Sequence, residues 1–171
     1  MSNKKQSETG KPNDTGPHQV RLDNWISCAP FEELLQMTIE RAADGDAVLS
    51  MPFLHEFSQG AGLLHGGALT SLADTAVAIA CKSLLPVGTR FATVSLESAF
   101  LAPVREGIVT VHATVTADTG DGRSLHGRAT VKDQHGREVM RFTSLFRIAR
   151  SQDILAASRE ILGFINGDKG S

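Results

Sequence analysis

The chain has 171 residues, with 17 basic and 19 acidic side chains and a formal net charge of −2. Its length predicts one domain, large enough to bury ~70% of its unfolded surface without staples. Hydrophobic residues make up 41% and charged residues 21%. These values exclude a fibrous, collagen-like or wholly disordered chain, and the charge balance lacks the basic bias of a non-specific nucleic-acid binder.

Met1 to Gln19 is rich in Ser, Asn, Lys, Gly and Pro and holds no core-forming residue after Met1. It cannot repay its ordering entropy, so residues 1–21 read as a flexible tail. It has no apolar h-region and is no secretory signal. Ordered structure is expected to begin near Leu22 to Trp25. Pro30 to Leu35 reads as a short helix, with Pro at its start and Glu32 and Glu33 in its first turn. Met37 to Ala42 and Ala47 to Phe53 flank Asp44-Gly45-Asp46, a hairpin signal.

Gly66 to about Leu85 reads as one long helix ended by Pro86. Asp74 is its only charge before Lys82, and a helix apolar nearly all round is expected to be buried. The stretch is interrupted by Asp74 and falls short of the ~20 residues that span a bilayer, so no membrane association is expected. Beyond it the period changes from 3.6 to 2. Thr93 to Leu101 forms a first strand. Then Val109, Val111, Ala113 and Val115, Leu125 to Val131, and Met140 to Ile148 each alternate with polar positions, as half-buried strands do. The links 103–107, 118–123 and 133–137 are too short for parallel crossovers, so they are expected to join antiparallel neighbours. Gln152 to Phe164 places Ile154, Leu155, Ile161 and Leu162 on one helical stripe. The expected organisation is therefore a tail (1–21), an α+β domain (22–150) and a C-terminal helix and tail (151–171). In that domain a curved antiparallel sheet wraps one helix.

Two features carry chemistry. Asp74 is a carboxylate in an apolar helix, where an unpaired charge costs several kcal/mol or shifts its pKa. At ~100° per residue it falls opposite Leu69, Leu72, Ala76, Ile79 and Ala80, beside Gly67, Thr70, Ser71, Ala78 and Cys81. Small neighbours leave space in front of it; the structural alternative is a hydrogen bond to a neighbour such as Thr70. The second feature is His65-Gly66-Gly67 where the helix begins. Free N–H groups and the positive dipole end there can stabilise a developing oxyanion. The structural alternative is a tight glycine turn with a hydrogen-bonded His65. A donor site and a carboxylate two turns apart are the equipment for attack on a carbonyl, the acid serving as base or nucleophile. No Gly-x-Ser-x-Gly, Walker or zinc-spaced Cys/His motif is present, and no metal or cofactor is expected. Cys28 and Cys81 make no disulfide framework. Cys81 reads as a buried thiol, and both fit a reducing, cytoplasmic setting.

His65-Gly66-Gly67-Ala68-Leu69 followed by Leu72-Ala73-Asp74-Thr75-Ala76 resembles the signature of hotdog-fold acyl-CoA thioesterases. The nearest likeness is to the PaaI-like phenylacetate-pathway type and the related 4-hydroxybenzoyl-CoA thioesterases. Thr93 to Glu97, Phe100 to Val104, Gly122-Arg123-Ser124 and Asp133 to Arg137 resemble later elements of that family, and the likeness spans about Leu34 to Ile148. It implies a hotdog fold and a homodimer or dimer of dimers with sites at the subunit interface. It implies hydrolysis of an acyl-CoA with Asp74 as base or nucleophile, facing the partner's His65-Gly66 turn, whose Gly66 N–H polarises the thioester carbonyl. The sequence departs from the PaaI-like pattern at Gln59, where Asn is usual. Gln resembles one branch of the 4-hydroxybenzoyl-CoA enzymes, which carry Glu where this chain has Asp74. Gln59 is a candidate to bind water or the carbonyl, and Gly67, Thr93, Ser95, Arg123 and Ser124 are candidates for substrate or CoA contact. A hotdog hydratase or dehydratase, and a non-catalytic acyl-CoA-binding protein, are the alternative readings.

Overall fold

The computed structural model describes residues 18, 20–118, 120 and 122–150. Most of the expected N-terminal tail and the expected helix over 152–164 lie outside the described residues. The elements run α1 (Pro30–Leu34), β1 (Thr38–Ala43), β2 (Asp46–Pro52), a 3-10 turn (His55–Phe57), α2 (Gly66–Leu84), β3 (Phe91–Phe100), β4 (Ile108–Ala117), β5 (Ser124–Lys132) and β6 (Glu138–Ile148). All six strands form one antiparallel sheet in the order β1-β2-β4-β5-β6-β3. The β1–β2 hairpin turns through Asp44 (φ 51) and Gly45 (φ 79). Positive φ at both central residues matches the strand twist, which is why Asp-Gly stands there.

The short-link expectation holds for β4-β5-β6 and fails for residues 101–107. β3 pairs only with β6, at the sheet edge, and β4 lies between β2 and β5. The segment after β3 therefore crosses the end of the sheet instead of reversing into a neighbour. Backbone bonds hold it: Leu101 N–H donates to Val139 O, and Leu64 N–H donates to Val104 O. This crossing places the 101–104 segment beside the start of α2.

The sheet wraps α2 on one side. Leu69, Leu72, Ala73, Ala76, Val77 and Ala80 are buried against Leu49, Val111, Met140, Phe142 and Phe146 among others. A fully buried Leu or Phe contributes roughly 1.5–3 kcal/mol, and the helix alanines let the sheet approach closely. Gly127 on β5 marks the tightest contact. A Cβ there would overlap Val77 Cγ1 and lie 2.8 Å from Ser144 Oγ. Gly127→Ala is expected to destabilise the chain by ~1–3 kcal/mol through overpacking, read as a lowered Tm in thermal unfolding.

The expectation that α2 is buried all round is not met within one chain. Gly67 is exposed, and Thr70, Ser71, Asp74, Thr75 and Ala78 are only half-buried. A six-stranded sheet covers one side of a helix, and among the described residues no second layer covers the other. Cys81, expected on the Asp74 side, is fully buried. Among the described residues no helix is long and apolar enough to cross a membrane.

Candidate active site

Asp74 sits on the uncovered stripe of α2 and faces β3. Its partner there is Thr93, whose hydroxyl donates to Oδ1 at 3.0 Å and lies 3.2 Å from Oδ2. The expected alternative partner, Thr70, instead meets Ser98 across 3.2 Å. Among the described residues no Lys, Arg or His pairs with Asp74. Burial pushes its carboxyl above the ordinary 3.8, and the Thr93 hydrogen bond only partly opposes this. A half-buried carboxylate held by one hydroxyl and left without a cation is a proton acceptor in need of a partner.

The β3 backbone explains why Thr93 reaches it. A bulge between Thr93 and Ser95 shifts the register against β6, and bulges of this kind re-aim side chains. Thr93 lies opposite Phe146, Leu96 opposite Ser144 and Ser98 opposite Phe142, all on the helix side. Ser95 pairs with Leu145 and lines a groove on the outer face with Thr116, His126 and Arg128. That groove has a volume of about 870 Å³. Asp74 does not line it. Thr93→Val is expected to raise the Asp74 pKa further, moving the acid limb of the pH–rate profile to higher pH and lowering kcat. Thr93→Ser should restore both, which distinguishes positioning of the carboxylate from packing.

The α2 N-terminus forms the second part of the site. His65 is the N-cap, and its Nδ1 accepts the Gly67 N–H at 2.8 Å. A neutral imidazole that accepts at Nδ1 carries its proton on Nε2. Gly66 N–H takes no acceptor among the described residues. Phe100 on β3 leans over this residue, its Cζ 3.1 Å from where a Gly66 Cβ would stand. Gln59 shapes the approach: its N–H donates to Leu63 O at 2.8 Å, and its Oε1 accepts from Ala61 N–H at 2.5 Å. Cys81 is no competing nucleophile, because burial and then the Asp74 charge push its thiol up to about 12.

The structure joins some of the sequence-selected residues and separates others. Asp74 and Thr93 meet. Gly66 and Asp74 do not, since eight residues of helix separate them by roughly 12 Å along the axis. Arg123 and Ser124 lie at the Thr93 end of the sheet but across β6 from it, Ser124 level with Ala92 through Arg147, and Arg123 Nη2 donates to Ile148 O at 2.8 Å. Sequence reasoning missed Ser98, which meets Thr70, and Phe100, which leans on Gly66, as parts of the β3 face that lies along α2. The signal was a break in the alternation of 93–100, with Val94 as the extra residue.

Comparison with known proteins places this arrangement in a family. The thioesterase superfamily profile matches residues 61–140, the span from the α2 approach to β6. A Halobacterium salinarum protein named "Putative esterase VNG_1336C" is 31% identical over 137 residues, covering 75% of this chain and 91% of that protein. A "Putative esterase" of Haemophilus influenzae is 37% identical over 95 residues, 54% of this chain and 69% of that one. Among solved structures, the conserved protein PA5202 of Pseudomonas aeruginosa aligns with TM-score 0.67 at 26% identity, over 73% of this chain and 97% of that one. The Escherichia coli PaaI protein of the phenylacetic acid degradation operon aligns with TM-score 0.63 at 25% identity, over 70% and 84%. The fold is the hotdog, and the family is one of thioesterases. The chain belongs to the thioesterase superfamily and is PaaI-like within it.

Proposed function

We propose that the protein hydrolyses an acyl-CoA thioester to a free carboxylic acid and CoA, at sites shared by two copies of the chain. The observation that carries this reading is Asp74: a carboxylate of raised pKa on the half-buried stripe of α2, held by Thr93 and paired with no cation among the described residues. As general base it takes a proton from water while the water oxygen attacks the thioester carbonyl carbon. The carbon–sulfur bond then breaks and CoA leaves as the thiolate. As nucleophile it would form an acyl anhydride that water opens. In either route the carbonyl oxygen gains charge, and Gly66 N–H at the α2 N-terminus is the donor that stabilises it.

One chain cannot align these groups, because reacting atoms must come within ~3–3.5 Å and the donor lies roughly 12 Å from the acid. A second copy supplies the donor. β3 favours this assembly: it is an edge strand of ten residues with Val94, Leu96 and Phe100 58%, 47% and 55% exposed. A long apolar edge left open is a pairing template. Gln59 and His65 of the donor copy border the carbonyl and the water, and Gly67 keeps its N–H on His65 so that Gly66 remains free.

The test is release of free thiol from a panel of aryl-, short- and long-chain acyl-CoAs. Turnover of at least one member is expected. A folded dimer that releases no thiol from any of them would overturn the reading.

A further inference from the structure

We infer that the groove between α1 and the N-terminal turn of α2 receives the acyl group, and that Phe31 limits its size. The inference rests on the thioester reading above and deepens it. The groove has a volume of about 240 Å³. Phe31 and Leu35 from the α1 side, Phe57 from the 3-10 turn and Ala68 of α2 give it apolar walls, and His65 and Gly67 border it. Those last two residues flank Gly66. A thioester whose carbonyl oxygen meets the Gly66 N–H therefore has this groove within reach of one of its two substituents.

Its chemistry selects the acyl side over the CoA side. Rings and methyl groups make up most of the wall, beside the Ser58 and Ser71 hydroxyls, and no Lys or Arg lines it to pair with the CoA phosphates. Glu56 is the one acid, exposed, and it disfavours an acyl group ending in a carboxylate. An apolar cavity of ~150 Å³ takes a benzene ring. A groove of about 240 Å³ therefore fits one ring with a short linker, or a chain of similar bulk, and excludes long-chain acyl groups.

The wall is held in place by the segment next to the candidate acid. Glu32 Oε2 accepts the Ala29 N–H at 2.9 Å, and its Oε1 takes the Thr75 hydroxyl at 3.4 Å. Thr75 adjoins Asp74, so α1 is tied to the helix that carries the acid. Phe31 nevertheless stays 53% exposed. A large ring that is fixed on its backbone but uncovered is what a ligand would bury.

The experiment compares kcat/KM across acyl-CoAs from C2 to C16 and aryl-acyl-CoAs, for wild type, Phe31→Ala and Phe31→Trp. Calorimetric Kd values for non-hydrolysable S-alkyl and S-phenacyl thioethers of CoA give a readout independent of turnover. Because Phe31 is half exposed, both variants should fold. Wild type is expected to prefer compact neutral acyl groups. Phe31→Ala should improve longer chains relative to compact ones by about tenfold or more, the scale of one or two methylenes in an apolar pocket, and Phe31→Trp should shift the preference the other way. Leu34→Ala is the control, since Leu34 is on α1 and 69% exposed but outside the groove; its profile should match wild type. Unchanged profiles and Kd rankings in both Phe31 variants, with turnover intact, would overturn this inference alone. Loss of all thiol release by wild type would instead overturn the hydrolase reading, and a Kd ranking led by C16 in wild type would overturn the size limit.

Discussion

Replacing Asp74 with Asn is expected to lower kcat by ~10²–10⁴, the range general acid–base groups contribute, while leaving the fold intact. Asn keeps the shape and still accepts from Thr93, so only the basicity is lost. The sign of the stability change follows from the raised pKa. Folding lifts the carboxyl above 3.8, so in the window from 3.8 up to the folded value the native chain holds more protons than the unfolded one. Stability therefore falls as pH rises through that window, and above it the wild type bears the full penalty of a desolvated charge. Asp74→Asn removes this penalty. Its Tm at neutral pH should equal or exceed that of wild type, and the difference should vanish below pH 3.8, where both side chains are neutral. In wild type, kcat/KM should decline on the acid side with a midpoint above the ordinary carboxylate value. Full activity in Asp74→Asn would remove the acid from the mechanism.

Gly66→Pro is expected to be the matching loss on the donor side. Proline at the first helical position lacks only an N–H that has no intrahelical acceptor, and its φ suits the helix start. His65, which precedes it, is extended at φ −65 and ψ 132, the conformation a residue before proline adopts. The added ring must displace the flexible end of Phe100, a local adjustment at an exposed side chain. Loss of one oxyanion donor lowers kcat by ~10²–10³, so the variant should fold and turn over slowly. The two variants together test where the donor comes from. If Asp74 and the Gly66 N–H come from different copies, a mixed dimer of Asp74→Asn and Gly66→Pro chains has one site with both defects and one with neither. Equal mixing with random reassociation should then restore about a quarter of wild-type activity, given two sites per symmetric dimer. A site built within one chain would leave every site in the mixture defective, with no recovery. Mass in solution, measured on the same samples, reports whether the dimer forms.

Much of the architecture was legible before any coordinates. Asp44-Gly45 marked the first hairpin because few residue pairs accept positive φ twice in succession. Pro86 and the run from Gly66 marked α2, since a proline ends a helix and an apolar 3.6 period requires one. The alternations of β4, β5 and β6 marked three strands with one buried face. The bulge at Val94 was harder to read: one inserted residue reverses the faces of everything after it, and Thr93 and Ser95, which look equivalent two residues apart, end on opposite sides of the sheet. The crossing of 101–107 was equally hidden, because a short link constrains distance and does not name the neighbour.

The candidate site divides along the same line. Asp74 stood out in the sequence because a charge in an apolar helix violates the cost of burial, and His65-Gly66-Gly67 stood out because glycines at a helix start leave N–H groups uncovered. Both judgments rest on local chemistry, which a linear chain carries in full. That Thr93 holds the carboxylate, that Phe100 leans on Gly66 and that Phe31 stands over the donor turn depend on pairings between segments 19 to 43 residues apart. Such pairings are set by sheet register, by the bulge and by the packing of α1 on α2. The roughly 12 Å between acid and donor was implicit in their spacing on one helix, but its meaning needed the folded chain: the sheet covers only one side of α2, so among the described residues nothing brings donor and acid together, and the second copy proposed above would have to do so.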